Sequence, residues 1–520
     1  MGPEGGGAVA VSVKVAGTEG ADASFLSKAG PLVLARLITA FLTLSIPLVL
    51  ARMLPPDQYG TYKQLFLISQ TIAYVLPFGM AQALYFFIPR STERRPYFVH
   101  TLGFLALGGL LAAAGVYALG TPLSRYATNP AILDYRGSLA LYTMLTMAAC
   151  ALEIGLTSQG KTKVSAVIYL VTDTTRATVM VLPVLLGHGL TGVMHALVGF
   201  AAVRLVVCWV MLLRGTHGPF FSKELLRAQL KYAWPFGAAM FLAIPQQYAH
   251  QYAVMGYVTP ALFAIYSIGC FQLPIVDLLY TPTSEVLMVR MGELETAGRM
   301  HEALDAFRVA TSKLSLVFFP MAAFLFAAAP EFIAALFGPR FAAAVPIFRI
   351  SVSGILLATL PVDGVLRASN QTRHIFISYL VKTLATIPLV YFGVTRFGMM
   401  GGICSWAAAE YLGKAVLIAR VPHALSTPAH RVAMSELLPW RHLSKALTAA
   451  VASALFVVII RNASAFAWIG LPTGFVYRLI PLAAAGILFV IAYIGVLWMT
   501  GVRPNAVLQS IRRERVQASG

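Results

Sequence analysis

The sequence predicts an all-α polytopic membrane protein of about fourteen transmembrane helices, with two parallel six-helix repeats around a central cavity and two further helices toward the C-terminus. Three observations predict it. Of 520 residues 58% are hydrophobic and 11% charged, with a mean hydropathy of +0.76, whereas a water-soluble domain carries about 25% charged residues. The apolar residues fall in runs of about 20, the helical length that crosses a hydrocarbon layer of about 30 Å. The chain also matches itself at an offset of about 210 residues. The net charge of +19 does not indicate nucleic acid, because Lys and Arg lie mostly in the short gaps between apolar runs and so report topology.

The spans are expected near 31–54, 65–87, 99–119, 137–158, 164–187, 189–213, 234–256, 261–288, 313–337, 346–368, 375–395, 398–420, 444–464 and 477–500. Connections after even-numbered spans hold nineteen basic residues, among them Arg90, Arg94, Arg95, Lys161, Lys163, Arg290, Arg367, Arg373 and Arg441. Those after odd-numbered spans hold nine: Arg52, Lys63, Arg125, Arg136, Arg340, Arg349, Arg396, Arg461 and Arg478. The positive-inside rule then puts both termini in the cytoplasm. The expected layout is a disordered leader at 1–27, a repeat at 28–214, a linker at 215–233, a second repeat at 234–421, a linker at 422–443, spans 13 and 14 within 444–500, and a basic tail at 501–520. Residues 1–27 are rich in Gly, Ala and acids and lack the apolar core of a signal peptide. All four cysteines sit inside apolar runs without CxxC spacing, so neither disulfide, metal nor cofactor is expected. In "RMGELETAGRMHEALDAFRVATSK", Met291, Leu294, Met300, Leu304 and Phe307 recur at helical spacing, which predicts an amphipathic helix on the inner leaflet.

The repeat rests on three ordered matches. A shift of 204 sets Pro56 on Pro260, Tyr59 on Phe263, Gly60 on Ala264 and Tyr62 on Tyr266. A shift of 210 sets "QGKTKVSAVIYLV" on "SNQTRHIFISYLV", and a shift of 209 sets "GLTG" on "GMMG". Six spans per copy give both halves the same orientation, hence an axis along the membrane normal. In "LARMLPPDQYGTYKQLF" the charges Arg52, Asp57 and Lys63 suggest a ligand site, yet the copy replaces Asp57 with Ala261. Proline, aromatics and a small residue recur, which makes the stretch a joint between spans.

The segments "LARMLPPDQYGTY", "LFGPRFAAAVPIFRIS", "GKTK … GLTG" and "NQTR … GMMGG" resemble the polysaccharide-exporting flippases (Wzx type) of the multidrug/oligosaccharidyl-lipid/polysaccharide superfamily, over residues 28–421. The resemblance implies translocation of an undecaprenyl-pyrophosphate-linked oligosaccharide across the bacterial cytoplasmic membrane, by alternating access and without ATP. It implies a supply to O-antigen or exopolysaccharide synthesis, with a polymerase and chain-length machinery as neighbours, and carries no binding residues to this chain. The lack of a GxxxxGK[ST] loop agrees on ATP. Rival readings are a cation-coupled multidrug exporter of the same superfamily, which calls for an acid-dominated cavity, and a membrane polymerase or ligase, an enzyme that calls for a large outward loop.

Charges within spans supply the candidate site, since a lone charge at mid-bilayer costs about 2.5–3.5 kcal/mol on insertion scales and needs a partner or a wet cavity. The candidate cavity cations are Arg36, Arg176, Arg204, Lys382 and Lys414. Asp173 lies three residues from Arg176 and Glu410 four from Lys414, so each could neutralise its neighbour instead. Arg36 and Lys382 could also snorkel to lipid headgroups. Asp173, Glu153 and Asp363 are candidate coupling or gate acids; Glu153 and Asp363 coincide at the 210 shift and would pair with Lys161, Lys163 or Arg373 when the inner side closes. Asp277, between Pro274 and Pro282, is the first candidate for H⁺ or Na⁺ coupling. In "IPQQYAHQY" the residues Gln247, Tyr248 and Gln251 are candidates to face sugars.

Overall fold

The computed structural model describes residues 42, 44–369, 371–426, 431–462 and 475–501. Its regular elements there are all helical. The first half holds α1 (Leu44–Met53), α2 (Pro56–Val75), α3 (Met80–Phe87), α4 (Arg95–Ala118), α5 (Gly120–Tyr126), α6 (Ala131–Ala148), α7 (Leu152–Ser158), α8 (Thr162–Leu185) and α9 (Gly189–Leu213). Then come α10 (Lys223–Met255), α11 (Pro260–Gly269), α12 (Pro274–Thr296), α13 (Ala303–Ala327), α14 (Ala329–Leu336), α15 (Val345–Ser353), α16 (Val362–Ala368) and α17 (Thr372–Ile418). Short α18 (Val421–Leu425) and α19 (Met434–Leu437) lead into the last two spans, α20 (Trp440–Asn462) and α21 (Phe475–Met499). Eleven described segments are long and apolar enough to cross a membrane. The longest contains two spans, because α17 breaks at Gly398 in a positive-φ conformation (φ 57°) that glycine adopts without penalty. With that division, and with α10 and the shorter apolar α1 beside these spans, the described residues are roughly consistent with the expected fourteen.

Expected spans 2, 4, 8 and 10 are each broken, α2 from α3, α6 from α7, α11 from α12 and α15 from α16. The breaks fall in repeat-related pairs, 2 with 8 and 4 with 10. Backbone groups freed inside a membrane are tolerated where they meet protein or line a wet cavity. Both breaks of the second half do the latter, as shown below.

The halves meet at the joints. Pro56 and Pro260 occupy first-turn positions of α2 and α11, where a missing N–H costs nothing. These two helices cross so closely that a Cβ on Gly60 would stand 1.8 Å from the carbonyl oxygen of Pro260. The contact is reinforced by a reciprocal exchange. Arg52 donates to the carbonyl of Ala335, and Arg340 donates to Ala51 and, at 2.6 Å, to Leu54. Thr128 and Tyr126 add bonds to the carbonyls of Val258 (2.7 Å) and Tyr252 (2.9 Å). One apolar core, including Leu54, Tyr59, Phe263, Tyr266 and Phe341, is shared by both halves.

Toward the opposite, basic end the core divides. Leu84, Phe98, Leu152 and Cys208 form a cluster within the first half, whereas Leu287, Phe307, Val365 and Leu417 form another within the second. The halves therefore share one core at the joint end and have separate cores at the basic end. The helix α10 straps the wedge: Gln229 bonds His100 of α4 (3.0 Å), Gln246 bonds Thr383 of α17 (2.7 Å), and the Tyr252 hydroxyl bonds Thr71 of α2 (2.8 Å).

The expected amphipathic helix is not a surface helix. Residues 291–307 form the end of α12, a turn with Gly298 at φ 69°, and the start of α13. Met291, Leu294 and Phe307 are buried in the second half's own core. Their spacing reflects a face covered by protein instead of lipid.

Candidate functional site

Two contiguous cavities occupy the cleft. The charged cavity, about 390 Å³, is lined from the unwound segment between α11 and α12 (Phe271, Gln272, Leu273), from the 3₁₀ turns after α15 (Gly354, Ile355, Leu357, Ala358) and from α12, α16 and α17. It holds Asp277, Tyr280, Asp363, Lys382, Glu410 and Lys414. The amide cavity, about 320 Å³, lies between α2, α10 and α11, lined by Lys63, Gln70, Gln247, Tyr248, Gln251 and Gln272 among others. Phe271, Gln272, Ser351 and Trp406 line both, so the two cavities adjoin.

Which charges stay available is decided by pairing. Lys382 and Glu410 form an ion pair of 2.5 Å between the two spans of α17, so the direct contact of Glu410 is with Lys382 and not with Lys414, its neighbour one turn away. The Lys414 ammonium instead donates to the Tyr280 hydroxyl (3.4 Å) and lies 5.2 Å from the centre of that ring. The same hydroxyl donates to Asp363 Oδ2 at 2.6 Å. Tyr280 thus stands between the cation and the carboxylate. Asp277 faces the charged cavity with no ion-pair partner among the described residues.

In the first half the corresponding charges close on one another. Arg204 Nη2 reaches both carboxylate oxygens of Glu153 at 2.9 Å, an arrangement stronger than a single contact. Arg176 pairs with Asp173 at 2.9 Å on α8. None of the four lines either cavity described here. The structure therefore brings together Lys382, Lys414, Asp277 and Asp363, and separately Gln247, Tyr248 and Gln251, but leaves Arg176, Asp173, Arg204 and Glu153 apart from them. Glu153 takes Arg204 in place of Lys161 or Lys163, and Asp363 takes Tyr280 in place of Arg373. Arg36 lies outside the described residues.

Lys63 is the cavity cation that sequence reading missed. Its ammonium stands 5.6 and 5.8 Å from the ring centres of Tyr59 and Tyr62, favourable contacts that carry no counter-charge. No carboxylate pairs with it among the described residues. A span 2 that begins at residue 65 leaves Lys63 in the preceding connection. The signal was available in Pro56: proline at the first helical position starts α2 there, which puts Lys63 two turns inside the helix, on the face of Tyr59 and Phe66.

The family model for polysaccharide biosynthesis proteins matches residues 49–346. Among solved structures, the chain resembles the lipid II flippase MurJ in an inward closed conformation, with a TM-score of 0.69 and 12% identity over 91% of this chain and 99% of that one. It also resembles a MATE-family multidrug resistance transporter of the MOP superfamily in its inward-facing conformation (TM-score 0.60, 15% identity, 75% and 96% covered). A MOP superfamily transporter from Pyrococcus furiosus matches with a TM-score of 0.50 and 14% identity over 77% and 95%. At such identities the likeness is one of fold. No curated protein matches the sequence.

Proposed function

The chain belongs to the polysaccharide biosynthesis protein family and has the fold of the MOP superfamily flippases and transporters; from that premise we propose that it moves an undecaprenyl-pyrophosphate-linked oligosaccharide across the bacterial cytoplasmic membrane for O-antigen or exopolysaccharide synthesis. The observation that carries this reading is a cleft between two halves in which Lys63 and Lys414 face cavities without a carboxylate paired to either. Cations in a low-dielectric cleft concentrate anions, and the pyrophosphate is the constant anion of such a lipid. Lys414, on the charged cavity, is its proposed ligand, with Lys382 held in reserve by Glu410. Gln247, Tyr248 and Gln251 supply the amides and ring that suit hydroxyl-rich sugars.

The positive-inside rule assigns the basic end, where the cores divide, to the cytoplasm; in this reading the substrate headgroup enters there while its polyprenyl chain stays in lipid. The joint end is the closed outer gate, and rocking of the halves about α2 and α11 would exchange the two openings. Both termini are then cytoplasmic, and the translocated product would pass to a polymerase with its chain-length partners. Asp277 is the carboxylate placed to couple H⁺ or Na⁺, with membrane potential as the other drive. Arg176 and Arg204, proposed as cavity cations from sequence, would have to leave Asp173 and Glu153 to act on a substrate.

The three carboxylates of the charged cavity favour the rival reading, a cation-coupled multidrug exporter. Deleting the gene separates the two. Accumulation of a lipid-linked oligosaccharide on the inner leaflet is expected; no accumulation together with increased sensitivity to cationic drugs would transfer the assignment to the exporter.

A further inference from the structure

The two unpaired cations stand at different depths. Trp406 lines both cavities, and Lys414 follows it on the same helix by eight residues, or about 12 Å of rise. Lys63 lines the amide cavity and not the charged one, whereas Lys414 lines the charged cavity and not the amide one. A charge-assisted hydrogen bond reaches about 2.7–2.9 Å, so a compact pyrophosphate seated against Lys414 in one cavity leaves Lys63, in the other, without a counter-charge. If Lys414 holds the pyrophosphate, Lys63 needs a second anion farther along the substrate.

The lining of the amide cavity says what carries that anion. Beside Lys63 stand the side-chain amides of Gln70, Gln247, Gln251 and Gln272 and the ring of Tyr248. Each amide both donates and accepts, which suits sugar hydroxyls, and none supplies negative charge. A partly desolvated ammonium among neutral groups is costly until an occupant brings a counter-charge. Two rings face the ammonium at 5.6 and 5.8 Å; they orient it without neutralising it.

Building on the flippase reading above, we infer that the oligosaccharide is itself acidic: one of its sugars bears a carboxylate or equivalent anionic substituent, which Lys63 binds in the amide cavity while the pyrophosphate remains at Lys414. Lys63 is then a specificity-determining residue that favours charged repeat units over neutral ones of the same length.

The test starts from cells lacking the gene. The lipid-linked glycan that accumulates is extracted, its pyrophosphate link is cleaved with mild acid, and the freed glycan is run on an anion exchanger. Retention is expected. A neutral glycan overturns the inference while leaving the flippase reading intact, whereas the absence of any accumulated lipid-linked glycan removes that reading itself. In complemented cells Lys63→Gln, at matched membrane levels, should slow outer-leaflet appearance about 10- to 100-fold, the factor for one lost hydrogen bond to a charged group, and Lys63→Arg should restore most of it. Export at the original rate in both variants, or no recovery with arginine, overturns the assignment of Lys63. The charge of the accumulated glycan decides the substrate class even where Lys63→Gln fails to insert.

Discussion

The duplication contains an internal control for Tyr280. Glu153 and Arg204 map by the same 210-residue shift onto Asp363 and Lys414. The first pair closes at 2.9 Å; the second is kept open by a tyrosine hydroxyl, with legs of 2.6 and 3.4 Å. Those legs limit the separation of Lys414 Nζ and Asp363 Oδ2 to 6.0 Å. Tyr280→Phe removes only the oxygen. At an effective dielectric of about 20, contraction from about 5 to about 3 Å adds roughly 2 kcal/mol of attraction, of which loss of the hydroxyl's own bonds offsets about half. The expected net of about 1 kcal/mol leaves Lys414 about five- to tenfold less available. Outer-leaflet appearance of the lipid-linked glycan, at matched protein levels, should slow by that factor. Tyr280→Phe/Asp363→Asn removes the competing carboxylate and should recover the rate, with Asp363→Asn alone as the reference. Unchanged export by Tyr280→Phe, or a double variant no faster than it, would refute the reasoning.

Three further outcomes follow from the packing. Arg204→Ala leaves Glu153 as a mostly buried carboxylate without its partner, a loss on the order of 3–5 kcal/mol; thermal unfolding in detergent should fall, and Glu153→Ala/Arg204→Ala should regain most of it. Arg340→Ala removes the bonds to Ala51 and Leu54 across the joint end, the proposed outer gate, so in a Cys404→Ala background Cys270, on the amide cavity, should react faster with an impermeant maleimide added outside; equal labelling of both proteins counts against the gate. Gly60→Ala drives a methyl group into the Pro260 carbonyl, and a cost of about 1–3 kcal/mol or more should show as reduced insertion and a lower unfolding temperature, with normal yield and stability as the contrary result.

Local composition determined much by itself. Spans follow from the length of apolar runs, the joints from proline and glycine whose backbone limits are intrinsic, and the two-half plan from offsets between them. The amide row on α10 was legible too, since Gln247, Tyr248 and Gln251 have no place facing lipid. Tertiary structure alone decided the partners of the charges. Glu410 is one turn from Lys414 yet pairs with Lys382, Arg204 takes a carboxylate 51 residues away, and Lys63 faces a cavity instead of a connection. In a soluble helix the polar stripe marks which face is buried. In lipid both the packed face and the exposed face are apolar, so the sequence carries little record of how each helix is rotated about its axis. Rotation and interhelical packing set which charges meet, and through them which cations remain for a substrate.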